Sequence, residues 1–334
     1  MLKEVPNCLI DLHLHLDGSL SPETVRALAA MQGMEVSADD EVLNTMLCVS
    51  DGCRDLNEYL TKFDFPLSLL QTRAAIAEAV YRLKEELRAE GIIYAEIRFA
   101  PQLHLLKGLS QREVVEAALE GSRRSSLPSG LILCCMRMAD RSKENCETVR
   151  LAAEYRDRGV CLLDLAGAEA LFPNECFKEE IALARSLSMP FTLHAGEALG
   201  AESVSSAVQM GASRIGHGVR AVENDAVVAA LVARQIPLEL CPTSNLNTAV
   251  FDDIHAYPIR EFLRRGVPVT VNTDNRTVSA TTLRREWQLL MDAFSFTRDE
   301  AYTILRSSAT AAFVTDDVRR ELLGKIDTWY RTGA

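Results

Sequence analysis

Short apolar runs alternate with longer amphipathic stretches along almost the whole chain. The apolar runs predict β-strands at 8–16, 92–99, 131–138, 160–165, 190–194, 214–217, 237–240 and 267–272. Between them, apolar residues recur every three or four positions, which predicts helices at 22–31, 73–89, 113–123, 146–158, 178–187, 203–210, 225–234 and 258–264. Apolar strands that are each followed by a helix favour parallel pairing with both faces of the sheet covered.

Such strand–helix units are accommodated most simply by a closed (β/α)₈ TIM barrel, with extra helices after strand 1 and at the C-terminus. An open doubly wound sheet is the alternative architecture, although no GxGxxG motif follows a predicted strand to indicate its usual dinucleotide site. The chain contains no linker rich in Gly, Ser or Pro. We therefore predict that residues 1–334 form a single α/β domain.

Composition and charge exclude several classes of protein. The 334 residues are 48% hydrophobic, which is enough for a large core and excludes a disordered chain. The net charge of −11 and the absence of a Lys/Arg cluster argue against a nucleic-acid partner. No apolar run approaches the ~20 residues that cross a bilayer, so no membrane partner is expected. The N-terminus lacks the pattern of an export signal. The nine cysteines are scattered and lack CxxC spacing. Together, these features predict a cytoplasmic protein with reduced thiols.

Histidines and carboxylates are concentrated where predicted strands end. Six of them follow strands 1, 5, 6 and 8: His13, His15, Asp17, His194, His217 and Asp274. The first three occupy alternate positions and so share one face of a strand; a polar face on a surface strand is the alternative interpretation. Barrels place active sites at the C-terminal ends of strands, so we expect these residues to lie together there. Neutral imidazoles plus one carboxylate suit a divalent transition metal, zinc foremost. His104 and His255 lack such neighbours and are predicted to be loop or surface histidines.

A series of motifs spans the chain from residue 13 to residue 275. In order, they are HLHLDGS (13–19), DLNEYLTKFDF (55–65), YAEIRFAP (94–101), LDLAGAE (163–169), HAGE (194–197), IGHG (215–218), CPTSN (241–245) and NTDN (272–275). Both the motifs and their order resemble the adenosine deaminase family of the metal-dependent amidohydrolase superfamily, in its bacterial form. The resemblance covers essentially the whole chain and implies the TIM-barrel fold.

The resemblance also implies a set of catalytic and metal-binding residues. One Zn²⁺ ion per chain would be held by His13, His15, His194 and Asp274. Zinc-bound hydroxide would attack purine C6 while Glu197 gives a proton to N1. His217 would orient the attacking water or stabilise its charge.

Further residues are assigned to substrate binding. The resemblance implies that Gly167 contacts purine N3 through its amide, that Asp17 takes a ribose hydroxyl, and that His15 borders the substrate. Asn275 stands where the family has a second aspartate, and we predict that its amide donates to purine N7; capping the turn after strand 8 is the alternative. An apolar lid at helical spacing would cover the pocket, with plain core packing as its alternative: Leu56, Tyr59, Leu60 and Phe63.

These assignments predict hydrolytic deamination of adenosine and 2′-deoxyadenosine to inosine and 2′-deoxyinosine, with release of ammonia. Strand 4 has no lysine, which favours one metal over the dinuclear sites of amide and ester hydrolases in the superfamily. Asp17 stands where adenine deaminases of the family have glutamate, which favours a nucleoside. Asn275 and Ala168 depart from the family pattern and leave adenine or a 5′-modified adenine nucleoside, of the aminofutalosine or thioadenosine type, as alternatives. A zinc hydrolase of cyclic amides or esters and a non-enzymatic binding module are more remote.

Overall fold

Parallel strands form the centre of the protein. The computed structural model describes residues 2–50, 52–53 and 55–333, and within these ranges the strands are β1 (Leu9–His15), β2 (Ile92–Phe99), β3 (Ser129–Arg137), β4 (Val160–Gly167), β5 (Thr192–Ala195), β6 (Arg214–His217), β7 (Leu238–Leu240) and β8 (Val269–Val271). Each strand pairs in parallel with its neighbour in sequence, from β1 to β4 and from β5 to β8. All eight predicted strands are thereby confirmed.

Two seams close these ladders into a barrel. Between β4 and β5, the Leu163 amide donates to the Pro190 carbonyl at 3.1 Å. Between β8 and β1, the His15 amide donates to the Asp274 carbonyl at 2.7 Å, and the Asp274 amide donates to the His13 carbonyl at 2.8 Å. The second seam consists of predicted metal ligands, so closure of the barrel itself brings residues 13 and 274 side by side. The TIM-barrel prediction is confirmed.

Helices follow the strands, and additional helices lie after β1 and at the C-terminus. They are α1 (Pro22–Met31), α2 (Asp40–Leu47), α3 (Leu56–Leu60), α4 (Asp64–Leu69), α5 (Arg73–Glu90), α6 (Gln111–Arg124), α7 (Ser142–Tyr155), α8 (Lys178–Ser186), α9 (Ala201–Met210), α10 (Asp225–Arg234), α11 (Pro242–Asn247), α12 (Ile259–Arg265), α13 (Leu283–Phe294), α14 (Arg298–Ala311) and α15 (Asp316–Thr332). Short 3₁₀ turns lie at Asp17–Ser19, Thr61–Phe63, Pro101–Leu103, Arg156–Arg158, Asn174–Phe177, Val219–Glu223 and Ile254–Ala256. The extra helices after strand 1 and at the C-terminus occur as predicted. No helix among the described residues combines the length and apolarity needed to cross a membrane.

The two faces of β1 have different environments. Leu12 and Leu14 are fully buried in the main apolar cluster. His13 points into the barrel, where its Nδ1 lies 2.7 Å from a Glu239 carboxylate oxygen on β7. The alternation of side chains along the strand therefore separates the core from the chemistry, and the surface-strand interpretation is wrong because His13 has no exposed surface.

Charged side chains fill the barrel beneath the histidines. Arg98 on β2 donates to Asp164 at 2.8 Å and to Glu239 at 2.7 Å. Arg214 on β6 donates to the other Glu239 oxygen and to Glu96, both at 2.6 Å. All five side chains are at most 1% exposed. Because removing one partner would leave an uncompensated buried charge, at a cost of about 3–5 kcal/mol, this network makes the barrel interior rigid.

The two histidines outside the strand ends have contrasting environments. His104 lies in a loop, as predicted, but it is buried rather than exposed. Its Nδ1 donates to the Leu70 carbonyl at 2.9 Å, so the ring joins the helices that follow β1 to the loop after β2. His255 is exposed on the surface, as predicted. The loop prediction for His104 is correct and its surface alternative is not, because the ring is buried and its Nδ1 is held by a main-chain carbonyl, a contact that sequence spacing does not reveal.

Candidate active site

The four predicted metal ligands converge at the C-terminal mouth of the barrel. His13, His15, His194 and Asp274 each offer one ligand atom, and these atoms all lie within 4.8 Å of one another. His15 Nε2 is 3.3 Å from His194 Nε2 and 3.4 Å from Asp274 Oδ1. His13 Nε2 is buried without a hydrogen bond in the described structure. Three imidazole nitrogens and a carboxylate oxygen, with one nitrogen left without a partner, fit a divalent transition metal.

Carboxylates hydrogen-bond to Nδ1 of two ligand histidines, on the side of each ring that faces away from the cluster. Glu239 accepts from His13 Nδ1 at 2.7 Å, and Asp164 accepts from His194 Nδ1 at 2.9 Å. Each contact places the proton on Nδ1 and turns Nε2 towards the cluster, which is the arrangement that orients metal-binding histidines. The hydroxyl of Ser244 donates to Asp274 Oδ2 at 2.6 Å and leaves Oδ1 to face the histidines. The site is therefore preorganised by groups that make no ligand contact of their own.

The charge states of the cluster also suit a metal. Burial opposes ionisation of Asp274, but His13, whose Nε2 lies 3.4 Å from Asp274 Oδ1, and the neighbouring imidazoles hold the pKa of this carboxyl well below its usual range. Burial lowers the pKa of His15 well below its usual value, and more strongly than the Asp274 charge raises it. At neutral pH the site thus offers a carboxylate together with a neutral imidazole, the forms that bind metal ions.

Glu197 and His217 face each other beside the cluster. His217 Nε2 lies 3.6 Å from Glu197 Oε2, and the Thr248 hydroxyl is 3.4 Å from Glu197 Oε1. Glu197 is buried, and burial, the Asp274 charge and the Glu169 charge together raise its pKa well above the usual value. A raised pKa favours the protonated form, in which a carboxyl group can act as a general acid.

Glu169 fixes the turn that carries Glu197. Its buried carboxylate accepts hydrogen bonds at 2.5–3.1 Å from the Ser203 hydroxyl and from four successive amides, those of Gly196, Glu197, Ala198 and Leu199. A carboxylate that accepts several amide hydrogen bonds locks the backbone of a turn. Sequence reasoning gave Glu169 no role, although its place in the LDLAGAE motif was a signal. Glu239 lay in no motif, so nothing in the sequence marked it.

The backbone is strained where two of these side chains project. His217 and Asp274 have φ angles of 58° and 60°, in the left-handed region that side-chain-bearing residues avoid. Such conformations cost about 1–3 kcal/mol each and occur mainly at functional sites. Gly216 lies beside them, and a Cβ there would lie 3.1 Å from His13 Cε1 and 3.2 Å from His194 Cα. A larger residue at this position would therefore crowd the two ligand histidines.

A cavity of about 380 Å³ opens above the cluster. Its walls include every predicted substrate and lid residue: His15, Asp17, Gly167, Asn275, Leu56, Tyr59, Leu60 and Phe63. Asp17 and Asn275 each keep one buried side-chain oxygen without a hydrogen-bond partner among the described residues. Apolar side chains, among them Met136 and Leu103, complete the walls. The cavity is thus polar at its floor and mainly apolar at its sides, as expected of a small-molecule site.

The lid differs from its prediction in one respect. Helix α3 and the turn after it carry the four lid residues over the cavity. Tyr59 is not simply apolar, because its buried hydroxyl forms a 2.7 Å hydrogen bond with the hydroxyl of Ser279 in the segment after β8. This contact ties the lid to the same segment that contains Asn275, a function that the apolar spacing could not reveal.

Comparison with known proteins agrees with this arrangement. Residues 8–329 match the family described as adenosine deaminase. The chain is 46% identical to the adenosine deaminase of Haemophilus ducreyi and 39% identical to that of Enterococcus faecalis, in each case over 96% of both chains. The crystal structure of adenine deaminase from Arthrobacter aurescens is similar with a TM-score of 0.87 at 26% identity, covering 98% of this chain and 100% of the other. The chain belongs to the adenosine deaminase family of metal-dependent aminohydrolases.

Proposed function

We propose that this protein catalyses the zinc-dependent hydrolytic deamination of adenosine and 2′-deoxyadenosine, releasing ammonia and forming inosine and 2′-deoxyinosine. The observation that carries the proposal is a cluster of four potential metal ligands beside a buried carboxyl group whose raised pKa favours its protonated form, both at the floor of a cavity of about 380 Å³. Displacement of ammonia from an aromatic ring needs a strong nucleophile and an acid in one place. These residues provide for both.

The first requirement is the nucleophile. His13, His15, His194 and Asp274 would hold the zinc ion, one per chain. A bound zinc ion lowers the pKa of water to about 7 and so makes hydroxide available at neutral pH. Asp164 and Glu239 accept from Nδ1 of the ligand histidines and so would direct Nε2 of each ring towards the metal.

The second requirement is the acid. Glu197 would donate its proton to purine N1, which makes C6 more electrophilic and stabilises the charge that develops on the ring. The carboxylate of Glu169 holds the Glu197 amide at 3.1 Å and so fixes the position of this acid. His217 lies opposite and would orient the attacking water.

The remaining polar groups would position the nucleoside. The amide of Gly167, at the end of β4, would bind purine N3, and Asp17 would use its unpaired oxygen for a ribose hydroxyl. The apolar lid would exclude water from the reacting ring. Sites of this size, with apolar walls and a few polar groups, are typical of small-molecule pockets.

A 5′-phosphate would find no unengaged guanidinium or ammonium end in this pocket. Arg137 is the one Lys or Arg among the described lining residues, and its two terminal nitrogens already donate to the carbonyls of Phe172 and His194 and to Asn174, each at 2.6 Å, which leaves only its buried Nε without a partner. We expect kcat/KM on AMP to be at least ~10-fold below that on adenosine, the smaller end of what an unmade hydrogen bond to a charged group costs. The absorbance change on deamination measures this. AMP turned over as fast as adenosine would contradict it.

The same assay separates the alternative substrates. Adenosine, 2′-deoxyadenosine, adenine, 5′-methylthioadenosine and an aminofutalosine-type nucleoside are compared with the zinc-loaded enzyme. We expect the first two to give the highest kcat/KM. A preference for a 5′-substituted nucleoside or for adenine would replace the proposed substrate, and release of a carboxylate without ammonia would indicate hydrolysis of a cyclic amide or ester.

Asn275 would recognise purine N7. An asparagine amide carries N–H donors at every pH, whereas an aspartate donates only when it is protonated. We expect Asn275→Ala to lower kcat/KM on adenosine about two- to twelve-fold, which corresponds to one neutral hydrogen bond of ~0.5–1.5 kcal/mol. The loss should be small on 7-deazaadenosine, which has no N7 acceptor. Equal losses on the two substrates would mean that Asn275 shapes the loop and does not contact the base.

A cytoplasmic location is part of the proposal. It rests on the nine scattered cysteines, which form no disulfide among the described residues, because disulfides are rare in reducing compartments. Cell fractionation followed by detection of the protein and of deaminase activity measures it. Recovery of both outside the cytoplasm would contradict it.

A further inference from the structure

The orientation of His217 is set by two residues that do not line the cavity. We propose that Tyr257 and Asn245 are positioning residues that fix His217 in the tautomer with its proton on Nε2. His217 then presents a hydrogen-bond donor, and not a proton acceptor, to the reaction centre. The catalytic consequence rests on the proposed deaminase function, whereas the tautomer itself does not depend on it.

Hydrogen bonds of fixed direction connect these three residues. The Tyr257 hydroxyl donates to Asn245 Oδ1 at 3.0 Å. The other end of the same amide, Nδ2, is 3.1 Å from His217 Nδ1. An NH₂ group can only donate, so the ring nitrogen that it meets must carry a lone pair. A neutral imidazole with a lone pair on Nδ1 carries its proton on Nε2.

The surroundings oppose the reverse arrangement. All three side chains are at most 2% exposed, so bulk water cannot substitute for a lost partner. The Tyr257 hydroxyl donates its proton to the Asn245 side-chain oxygen. If the amide were turned over, its NH₂ group would point at the tyrosine oxygen and the hydroxyl proton would lose this acceptor. An unmade hydrogen bond of a buried group is costly, so the direction of the chain is fixed.

The position of Asn245 follows from the short helix α11. This helix begins at Pro242, directly after β7, and its first turn is held by Glu286, which accepts from the Thr243 amide at 3.0 Å. Ser244, the neighbour of Asn245, donates to the predicted ligand Asp274. One helical turn therefore places Asn245, the hydrogen-bond donor to His217, next to Ser244, the hydrogen-bond donor to Asp274. The contact with Glu286 holds this turn in place.

The free face of His217 points into the reaction centre. Nε2 lies 3.6 Å from Glu197 Oε2, and the ring lines the cavity above the metal-binding cluster. With the proton on Nε2 and Asn245 on Nδ1, the ring has no lone pair directed at the cavity. It can donate to the attacking oxygen and stabilise the negative charge there, but it cannot remove a proton from water. His217 would therefore act as a hydrogen-bond donor and not as a general base. This role would depend on the hydrogen bond from Asn245.

The tautomer is measured directly by NMR. Protein labelled with ¹⁵N-histidine gives distinct shifts for protonated and unprotonated ring nitrogens, and we expect His217 to show Nε2–H with and without zinc. Asn245→Asp replaces the donor by an acceptor and should move the proton to Nδ1. With the donor lost from the cavity side, kcat should fall by roughly 10²-fold, the lower end of the loss of one oxyanion-type donor, while KM changes less.

Two further variants keep the test decisive if Asn245→Asp folds poorly. Tyr257→Phe removes only the hydroxyl and should give a mixture of the two His217 tautomers and a smaller loss of kcat. Tyr155→Phe removes another largely buried hydroxyl, bonded to Glu116 at 2.9 Å away from the cavity, and should leave both readouts unchanged. An Nδ1–H tautomer in the unmodified protein, or an Nε2–H tautomer that persists in Asn245→Asp with unchanged kcat, would overturn the proposal. If adenosine is not deaminated while the NMR result holds, the proposed function fails and the positioning role stands.

Discussion

Replacement of His15 or Asp274 by alanine is expected to abolish deamination and to reduce the bound metal below the one zinc ion per chain of the unmodified protein. Each residue supplies one of the four ligand atoms that lie within 4.8 Å of one another. A barrel holds such atoms at fixed positions, so the loss of one ligand leaves an incomplete metal site. Elemental analysis of the purified variants, together with ammonia release from adenosine, measures both effects.

The control for these variants is His255→Ala, because His255 is exposed and lies outside the cluster. It should keep one zinc ion and full activity. Two metal ions per chain in the unmodified protein would contradict the single-metal site. Full activity without any metal would exclude the proposed chemistry altogether.

The barrel was predictable from sequence because its strands are buried on both faces. The predicted bounds of β2 and β6 agree with the structure, since apolar runs enclosed by helices leave a clear signal. Strand β8 is shorter than predicted, with only Val269–Val271 in the strand. The amide of Val267 donates instead to the Phe262 carbonyl, in the turn that ends α12. An apolar residue that belongs to a helix end cannot be told from a strand residue by hydrophobicity alone.

The charged interior of the barrel was not predictable. The alternation along β2 and β6 shows that Arg98 and Arg214 lie in strands, but their partners are distant in sequence. Arg98 pairs with Asp164 and Glu239, which are 66 and 141 positions away. These pairings exist only once the barrel has closed, and a spacing rule within one strand cannot anticipate them. The network that holds His13 and His194 was therefore missed, although both histidines were identified.

The site residues that could be predicted from the sequence are those whose own side chains would perform the chemistry. Histidines at strand ends carry that signal in their residue type and position. Glu169 and Asn245 act by holding a backbone turn and an imidazole ring, and their contribution depends on hydrogen-bond direction, which spacing does not encode. Tyr59 was assigned to the lid from its apolar spacing, and its hydroxyl contact with Ser279 became visible only in the folded structure.

Glu197→Gln is expected to keep the zinc ion and to lower kcat by ~10²–10⁴-fold, the usual contribution of a general acid. Glutamine has nearly the same shape as glutamic acid but has no acidic proton to give to purine N1. Glu197 lies outside the group of four ligands, so the substitution leaves the metal donors intact. Stopped-assay kinetics with elemental analysis measure the two properties separately. The exposed Glu202→Gln, five positions further along, is the matched control and should change neither.

The pH profile gives an independent test of Glu197. Burial and the charges of Asp274 and Glu169 raise its pKa above the usual value, so the proton needed for catalysis is retained to a higher pH than in an ordinary glutamic acid. The protonated fraction then falls as the pH rises through this raised pKa, and kcat should fall with it on the alkaline side. In Glu197→Gln that decline should be absent from the residual activity, because an amide does not titrate. A variant that instead loses its zinc ion would identify Glu197 as a ligand, and a ligand held ionised by the metal could not serve as the acid.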